Sequence, residues 1–214
     1  MAADDATDSA PFERAGEPDE RLAFLNLAGK SYLILLIALL AAVLLLGVRP
    51  WQSLSLDPTD ALIGLLAAIP LLLIVYVSAD LNTLVAETLG PRLAACRLGD
   101  LVLLAIVGGV LEELLIRGVL QPGLVRLGLL PLTAIVAANL IFACGYAWNG
   151  PYFSAAFLAG CYLSALLSTG PTDNLLRPIV THTTFVLVVS VLLASAARRR
   201  QAAGRPDDAA APAT

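Results

Sequence analysis

The stretch GGVLEELLIRGVLQPGL, residues 108–124, places three charged side chains inside an otherwise apolar segment. They belong to Glu112, Glu113 and Arg117, and the apolar run before them extends back to Leu101 without a charge. A charged side chain near the centre of a membrane helix costs about 2.5–3.5 kcal/mol on insertion scales. If this segment crosses a membrane, the three side chains must therefore face the interior of a helix bundle or a water-filled pocket.

The composition of the whole chain indicates a polytopic membrane protein. Of its 214 residues, 58% are hydrophobic and 14% are charged, whereas an average soluble domain carries about 25% charged residues. The net charge is −4 and the sequence has no basic patch, so nucleic acid is not an expected partner. The expected partner is the lipid bilayer. Three cysteines and a single histidine do not supply the ligand cluster that a zinc site needs.

Six apolar segments follow one another along the chain, each near the ~20 residues that a membrane helix needs. They cover residues 31–48, 61–77, 100–118, 129–148, 152–167 and 175–197. The predicted fold is therefore all-α, a polytopic transmembrane helical bundle of about six spans. The residues around ADLNTLVAETLGPRL, between the second and third segments, predict one or two amphipathic turns at the membrane surface.

The segments divide the chain into four predicted regions. Residues 1–28 are polar and acidic, which predicts a disordered tail that ends in a short amphipathic approach to the membrane and is not a signal peptide. Residues 29–99 hold two transmembrane helices and the amphipathic connector, and residues 100–197 form the membrane core. Residues 198–214 are a basic stop followed by a low-complexity, disordered tail.

Six spans place both termini on the same side of the membrane. Nine of the 13 basic residues share that side, namely Arg14, Arg21, Lys30, Arg92, Arg97, Arg198, Arg199, Arg200 and Arg205. The other side holds Arg49, Arg117, Arg126 and Arg177. Because cytoplasmic loops carry an excess of Lys and Arg, we expect an integral membrane protein with both termini in the cytoplasm.

Helical spacing separates the three charged side chains into a pair and a single carboxylate. Glu113 and Arg117 are four residues apart, so they meet on one helix face and can form an ion pair. Glu112 points about 100° away and stays free to hold a water molecule or a proton. Alternatively, the pair only fixes helix packing while Glu112 is protonated and hydrogen-bonded, or all three side chains lie at the interface and extend towards water.

Two motifs resemble those of the CPBP intramembrane proteases, the family of the type II CAAX prenyl endopeptidases and the bacterial Abi proteins. The first is E-E-x-x-x-R at residues 112–117, followed by G-x-L-x-P at residues 118–122. The second is P-I-x-x-H at residues 178–182 on the last apolar segment. The resemblance covers roughly residues 100–190 and implies a CAAX-protease-like membrane core.

The resemblance implies a glutamate-dependent endopeptidase that hydrolyses a peptide bond of a membrane-associated or lipidated substrate. Glu112 would activate water as the general base. Glu113, held by Arg117, would act as its pairing partner and orienter, and His182 would polarise the scissile carbonyl or share the water. No metal or other cofactor is expected, because the second histidine of the family's pattern is missing here.

Two positions depart from the family's pattern. Tyr146 stands at the histidine position of F-x-x-x-H; its hydroxyl can donate a hydrogen bond to an oxyanion, but a tyrosine is no base at neutral pH. Val186 stands at the asparagine position of the last motif and cannot hydrogen-bond, and losing one such donor typically costs ~10²–10³ in rate. Asn139, seven residues before Tyr146 on the same helix face, is a candidate polar group for the same pocket.

Three functions are compatible with these residues. The complete E-E-x-x-x-R motif favours an intramembrane endopeptidase, which we expect in a bacterial inner membrane or a similar one. Tyr146 and Val186 favour a catalytically impaired pseudoprotease that binds a membrane peptide or serves as a scaffold. A small transporter with Glu112 as its proton carrier is the third, although no internal repeat supports it.

Two of the candidate residues also have structural interpretations. His182 could be a buried neutral histidine that is bonded to a backbone carbonyl, to Thr181 or to Thr183. Tyr146 lies close to Trp148, and aromatic residues near a helix end are usual anchors at the membrane interface.

Overall fold

The computed structural model describes residues 17–146, 150–169 and 172–203, and within these ranges it contains helices and no β-strand. The helices are α1 (Glu17–Leu46), α2 (Pro58–Val77), α3 (Ala79–Ala94), α4 (Leu98–Glu113), α5 (Gln121–Arg126), α6 (Pro131–Cys144), α7 (Gly150–Leu167) and α8 (Leu176–Ala203). A 3-10 turn spans Pro50–Ser53, and a π-helical segment spans Leu114–Leu120. The predicted all-α membrane bundle is confirmed.

In the described parts of the chain, four helices are each long and apolar enough to cross a membrane, namely α1, α2, α7 and α8. The third predicted span consists of α4, the π segment and α5, which follow one another without a break. The fourth, α6, is a shorter apolar helix of 14 residues. Leucines on the outer faces stay exposed, such as Leu44 and Leu45 of α1, as expected for side chains that contact lipid.

Part of each segment that was predicted as a tail is helical. α1 begins at Glu17, so residues 17–28 form helical turns ahead of the first apolar segment. α8 continues through the arginines at 198–200 to Ala203, because arginine is a good helix former and nothing in this stretch interrupts the helix. The predicted tails at residues 1–16 and 204–214 lie outside the described residues.

The connector between the second and third spans was predicted too short, because it forms the 16-residue helix α3. The apolar face of α3 packs against the carboxyl-terminal half of α8, where Leu93 joins a buried cluster with Leu193 and Ala194. Gly90 brings the two backbones close, since a Cβ there would lie 3.5 Å from the Ala197 side chain. Burial of this face makes α3 part of the bundle.

Contacts at the two ends of the bundle show how the helices alternate in direction. At one end, Arg21 at the start of α1 pairs with Asp100 at the start of α4, with Nε 2.7 Å from Oδ2. Arg198 near the end of α8 donates to the carbonyl of Ala94 at 2.9 Å. We call this end the termini end, since it contains the start of α1 and the last turns of α8.

The opposite end, here the loop end, joins α1 to α5 and α2 to α8. Arg126 donates to the carbonyl of Gly47 at 2.8 Å. Arg177 at the start of α8 pairs with Asp60 at the start of α2, with Nε 2.6 Å from Oδ1. Arg177 is therefore a buried ion-pair partner and not the loop cation that the sequence count took it for.

The polar core of the bundle lies where α4 and the π segment pass between α6, α7 and α8. Close approach depends on small residues, because a Cβ on Gly118 would lie 2.7 Å from the Pro50 side chain. Gly109 of α4 lies directly against Thr183 of α8. These contacts bring the charged residues of α4 and the π segment next to the first turns of α8.

Candidate active site

Glu113 and Arg117 form the ion pair that their spacing predicted. Arg117 Nη1 lies 2.9 Å from Glu113 Oε1, and both side chains are completely buried. The pair spans the junction between α4 and the π segment, a change of helix type that the sequence did not indicate. Such wide turns in a helix are frequent at functional sites, since they displace side chains from the regular α-helical positions.

Arg117 is held on every side by polar groups of neighbouring helices. Its Nη2 donates to Asn139 Oδ1 at 2.8 Å and to the Gly160 carbonyl at 2.7 Å, while its Nε donates to Ser164 Oγ at 3.3 Å. The Phe142 ring lies 5.3 Å from its guanidinium carbon. A rigid guanidinium with five donors suits such a site, and the result is a charge fixed in one place.

Asn139 does not supply the second polar group that the sequence led us to expect in the substrate pocket. It is fully buried behind Arg117, and its Nδ2 donates to the Ile135 carbonyl at 2.8 Å and to Ser164 Oγ at 2.9 Å. Its distance of seven residues from Tyr146 places it two turns deeper along α6. Asn139 therefore orients Arg117.

His182 joins the two glutamates through its two ring nitrogens. Nδ1 lies 2.7 Å from Glu113 Oε1, and Nε2 lies 3.7 Å from Glu112 Oε2. The interpretation that bonded His182 to a threonine or a backbone carbonyl is wrong, because Nδ1 contacts the Glu113 carboxylate. Thr181 Oγ1 instead contacts the Gly64 carbonyl at 2.8 Å. A carboxylate at Nδ1 fixes the imidazole ring and directs Nε2 towards Glu112.

Glu112 stands outside the Glu113–Arg117 pair, as predicted. Its side chain keeps 19% of its surface exposed, whereas that of Glu113 has none. The hydroxyl of Tyr146 donates to Glu112 Oε2 over a long 3.4 Å. Tyr146 thus faces the glutamates, which argues against a purely interfacial anchor; Trp148 lies outside the described residues.

A cavity of about 770 Å³ opens beside these residues, between α2, α7 and α8. His182, Tyr146 and Phe142 form part of its wall, and Val186 lines it one turn beyond His182. Most of the other lining side chains are apolar, including Leu71, Ile74, Ala155, Leu158, Leu163 and Val189. Ser78 and Pro151 line the cavity at the helix ends nearest the termini end. The cavity is of the size and character of a site for an apolar ligand.

No group of three or more His, Cys, Asp and Glu side chains in the described parts of the chain has an arrangement that could hold a metal ion. Glu112, Glu113 and His182 are close together, but Glu113 Oε1 is shared by Arg117 and His182. The other oxygen, Glu113 Oε2, is buried and has no hydrogen-bond partner among the described residues.

Several residues of the site were not identified from the sequence. Gly160 and Ser164 hold Arg117. The available signal in the sequence was that these two small residues are four positions apart and so share one helix face. Tyr152, whose ring packs edge-to-face on Tyr146 with centroids 5.3 Å apart, lines the same cavity.

Residues 95–188 match the family model described as type II CAAX prenyl endopeptidase Rce1-like. The match contains all five candidate residues of the site and begins at the turn before α4. No curated protein and no solved structure matches the chain. The family resemblance that the motifs indicated is therefore confirmed.

Proposed function

We propose, from the match of residues 95–188 to the Rce1-like family model, that this integral membrane protein is a glutamate-dependent endopeptidase. Its substrate is a membrane-associated or lipidated peptide, which it hydrolyses at a peptide bond. One observation carries the proposal: Glu112, His182 and Tyr146 meet beside an apolar cavity, with Glu113 and Arg117 buried behind them.

Glu112 is the general base in this proposal. Of the two glutamates it is the one with exposed surface and without an arginine partner. It accepts a proton from water as the water oxygen attacks the scissile carbonyl carbon. It then returns that proton to the nitrogen of the departing amine as the carbon–nitrogen bond breaks. The hydroxyl group of water thereby ends on the new carboxyl group, and its proton ends on the new amine.

His182 is the electrophilic group. Its Nδ1–H donates to Glu113, and with Nε2 also protonated it offers a second N–H next to Glu112, where the carbonyl oxygen gains negative charge. Two carboxylates, one guanidinium and one imidazolium sum to zero charge, and a neutral cluster is the arrangement that a low-dielectric interior favours. Tyr146 adds an O–H donor at the same oxygen, Glu112 Oε2.

The apolar cavity holds the substrate's membrane-embedded or lipidated part. Its wall includes both His182 and Tyr146, so a chain bound there brings an adjoining peptide bond to the proposed catalytic groups. Holding a substrate at a fixed position next to a base is worth a large part of a catalytic barrier, on the order of 7–11 kcal/mol.

The experiment compares four forms of the protein in nanodiscs: wild type, Glu112→Gln, the double variant Tyr146→His with Val186→Asn, and Glu87→Gln. Each is incubated with lipidated peptides and single-span peptides, and products are identified by mass spectrometry. We expect cleavage by wild type and a loss of ~10²–10⁴ in Glu112→Gln, the usual contribution of a general base. Glu87 lies exposed on α3, so Glu87→Gln controls for loss of a carboxylate elsewhere.

A second candidate function is peptide binding without turnover. Val186 supports it, because this side chain lines the cavity at the position where the family's motif has an asparagine. In that case wild type binds peptides from the panel without cutting them, and the double variant Tyr146→His with Val186→Asn gains cleavage. Cleavage by wild type that persists in Glu112→Gln would contradict the proposed base.

A further inference from the structure

A second polar cluster lies at the loop end, outside the proposed catalytic groups. Asp60, Asn174 and Arg177, which we call the Asp60 cluster, are 9%, 1% and 2% exposed. Asp60 Oδ1 accepts from Arg177 Nε at 2.6 Å, and Asp60 Oδ2 accepts from Asn174 Nδ2 at 2.5 Å. Both carboxylate oxygens are therefore used inside the protein.

The Asp60 cluster connects four parts of the chain at the first turn of α8. Asn174 exchanges two hydrogen bonds with the backbone of Ser55, at 3.1 Å and 2.9 Å. Arg177 Nη1 donates to the carbonyl of Leu167, the last residue of α7, at 3.3 Å. The beginning of α8 is thus tied to α2, to the end of α7 and to the segment between the 3-10 turn and α2.

A second contact continues this attachment one helical turn further, towards the proposed catalytic groups. Gly64 lies one turn after Asp60 on α2, and a Cβ there would be 2.7 Å from the Arg177 carbonyl oxygen. Thr181 Oγ1 lies 2.8 Å from the carbonyl oxygens of Gly64 and Arg177. Thr181 is completely buried and directly precedes His182.

We infer that the Asp60 cluster and the Gly64–Thr181 contact position His182. Together they hold the first two turns of α8 at one depth and one rotation, so that the imidazole reaches both glutamates of α4. A rotation of α8 by one residue, about 100°, would turn His182 away from them. The catalytic importance of His182 rests on the proposed function. The placement of His182 by these contacts is a property of the fold and does not depend on that function.

The energetics of a buried ion pair favour a positioning role over a purely stabilising one. Removing two charges from water costs about as much as their attraction returns, so such a pair adds little net stability. Its best-supported use is to specify one register among alternatives. Here the alternatives are rotations and shifts of α8 along α2.

The chain offers a direct readout, because His182 is its only histidine. Protein labelled with ¹³C,¹⁵N-histidine in nanodiscs gives a single set of imidazole signals, which report the surroundings of both ring nitrogens. Asp60→Asn removes the charge opposite Arg177 and sets an amide donor against Asn174. Gly64→Ala forces α2 and α8 apart without changing any charge.

Two control variants match these changes at other places. Asp100→Asn breaks the Arg21–Asp100 ion pair at the termini end. Gly29→Ala adds a methyl group to α1 where no atom of the described part of the chain lies within 4 Å. Thermal unfolding of all four variants separates a loss of stability from a movement of the imidazole.

We expect Asp60→Asn and Gly64→Ala to shift the imidazole signals by more than their linewidth, while both controls overlay on wild type. On a substrate that wild type cleaves, kcat should fall at least tenfold with KM within twofold. Unshifted signals in both variants would overturn the inference, whatever happens to their unfolding temperatures. If Asp60→Asn does not fold, Gly64→Ala decides alone. A wild type that cleaves nothing contradicts the proposed function and not the positioning, which the spectra test independently.

Discussion

At the residue scale, the two adjacent glutamates acquire different properties from neighbours that are far away in sequence. Glu113 is enclosed by Arg117 and His182 and has no exposed surface. Glu112 is one residue earlier, keeps some exposure and contacts Tyr146 and His182 only at long distance. Identical side chains therefore suit different tasks, one as a fixed counter-charge and the other as a proton acceptor.

Arg117→Met is expected to destabilise the protein strongly, because it leaves the buried carboxylate of Glu113 without its cation. Breaking a buried ion pair by removing one partner typically costs about 3–5 kcal/mol. The measurement is the free energy of unfolding in mixed detergent micelles. Arg126→Met, at an arginine exposed at the loop end, is the matched control and should show a much smaller loss. Equal losses in the two variants would contradict a central role for Arg117.

Tyr146→Phe tests whether the hydroxyl takes part in the proposed reaction. The ring contacts with Phe142 and Tyr152 are retained, so the cavity wall keeps its shape. If the hydroxyl stabilises the oxyanion, kcat falls by ~10²–10³ with little change in KM. Tyr76→Phe, at an exposed tyrosine of α2, should leave both constants as in wild type. A kcat for Tyr146→Phe equal to that of wild type would assign the oxyanion to His182 alone.

At the scale of the helix, small residues decide how closely α7 approaches Arg117. Gly160 presents its carbonyl to the guanidinium at 2.7 Å, and Ser164 accepts from it one turn later. The π segment contributes from the other side, because its wider turns carry Arg117 between α6 and α7. Helix type and side-chain size together shape the space for one buried cation.

Gly160→Ala is expected to destabilise the bundle, since its Cβ would lie 2.5 Å from Asn139 Oδ1 and 3.2 Å from Arg117 Nη2. Overpacking of this kind typically costs about 1–3 kcal/mol. Gly150→Ala in the same helix is the control, because no atom of the described residues lies within 4 Å of a Cβ there. Unfolding free energies of the pair give the comparison. A Gly160→Ala variant as stable as Gly150→Ala would contradict this close packing.

At the scale of the whole molecule, the contacts at the two ends support one orientation in the membrane. The ion pairs of Arg117 and Arg177 remove two of the four basic residues from the loop-end count and leave Arg49 and Arg126. At the termini end Arg21 is likewise in an ion pair, with Asp100, so pairing lowers both counts and the excess at the termini end remains. The positive-inside rule then favours a cytoplasmic termini end.

Cysteine labelling in intact cells tests this orientation. In a background with Cys96, Cys144 and Cys161 changed to alanine, Gln52→Cys lies in the 3-10 turn at the loop end and Arg199→Cys lies at the termini end. A membrane-impermeant thiol reagent should label the first and reach the second only after the cells are opened. The reverse pattern would contradict cytoplasmic termini.

The sequence by itself determined the parts of this protein that depend on local geometry and composition. In a bilayer, the backbone polar groups of a long apolar segment must be hydrogen-bonded within the segment, as they are in a helix. This requirement predicted the all-α bundle. The spacing of Glu113 and Arg117 predicted their ion pair, because residues four apart in a helix are neighbours whatever surrounds them. The resemblance to the CPBP motifs predicted that His182 and Tyr146 lie in one site, and both are found beside Glu112.

Only the tertiary structure decided how these groups meet. Nothing local predicts that His182 bridges the two glutamates, that Asn139 serves Arg117, or that Arg177 pairs with Asp60 across 117 positions of sequence. Such contacts depend on the rotation and depth of each helix, which small residues such as Gly64 and Gly160 set through packing. A helix in lipid can present any face to its neighbours, and packing selects the one that buries its charges in pairs.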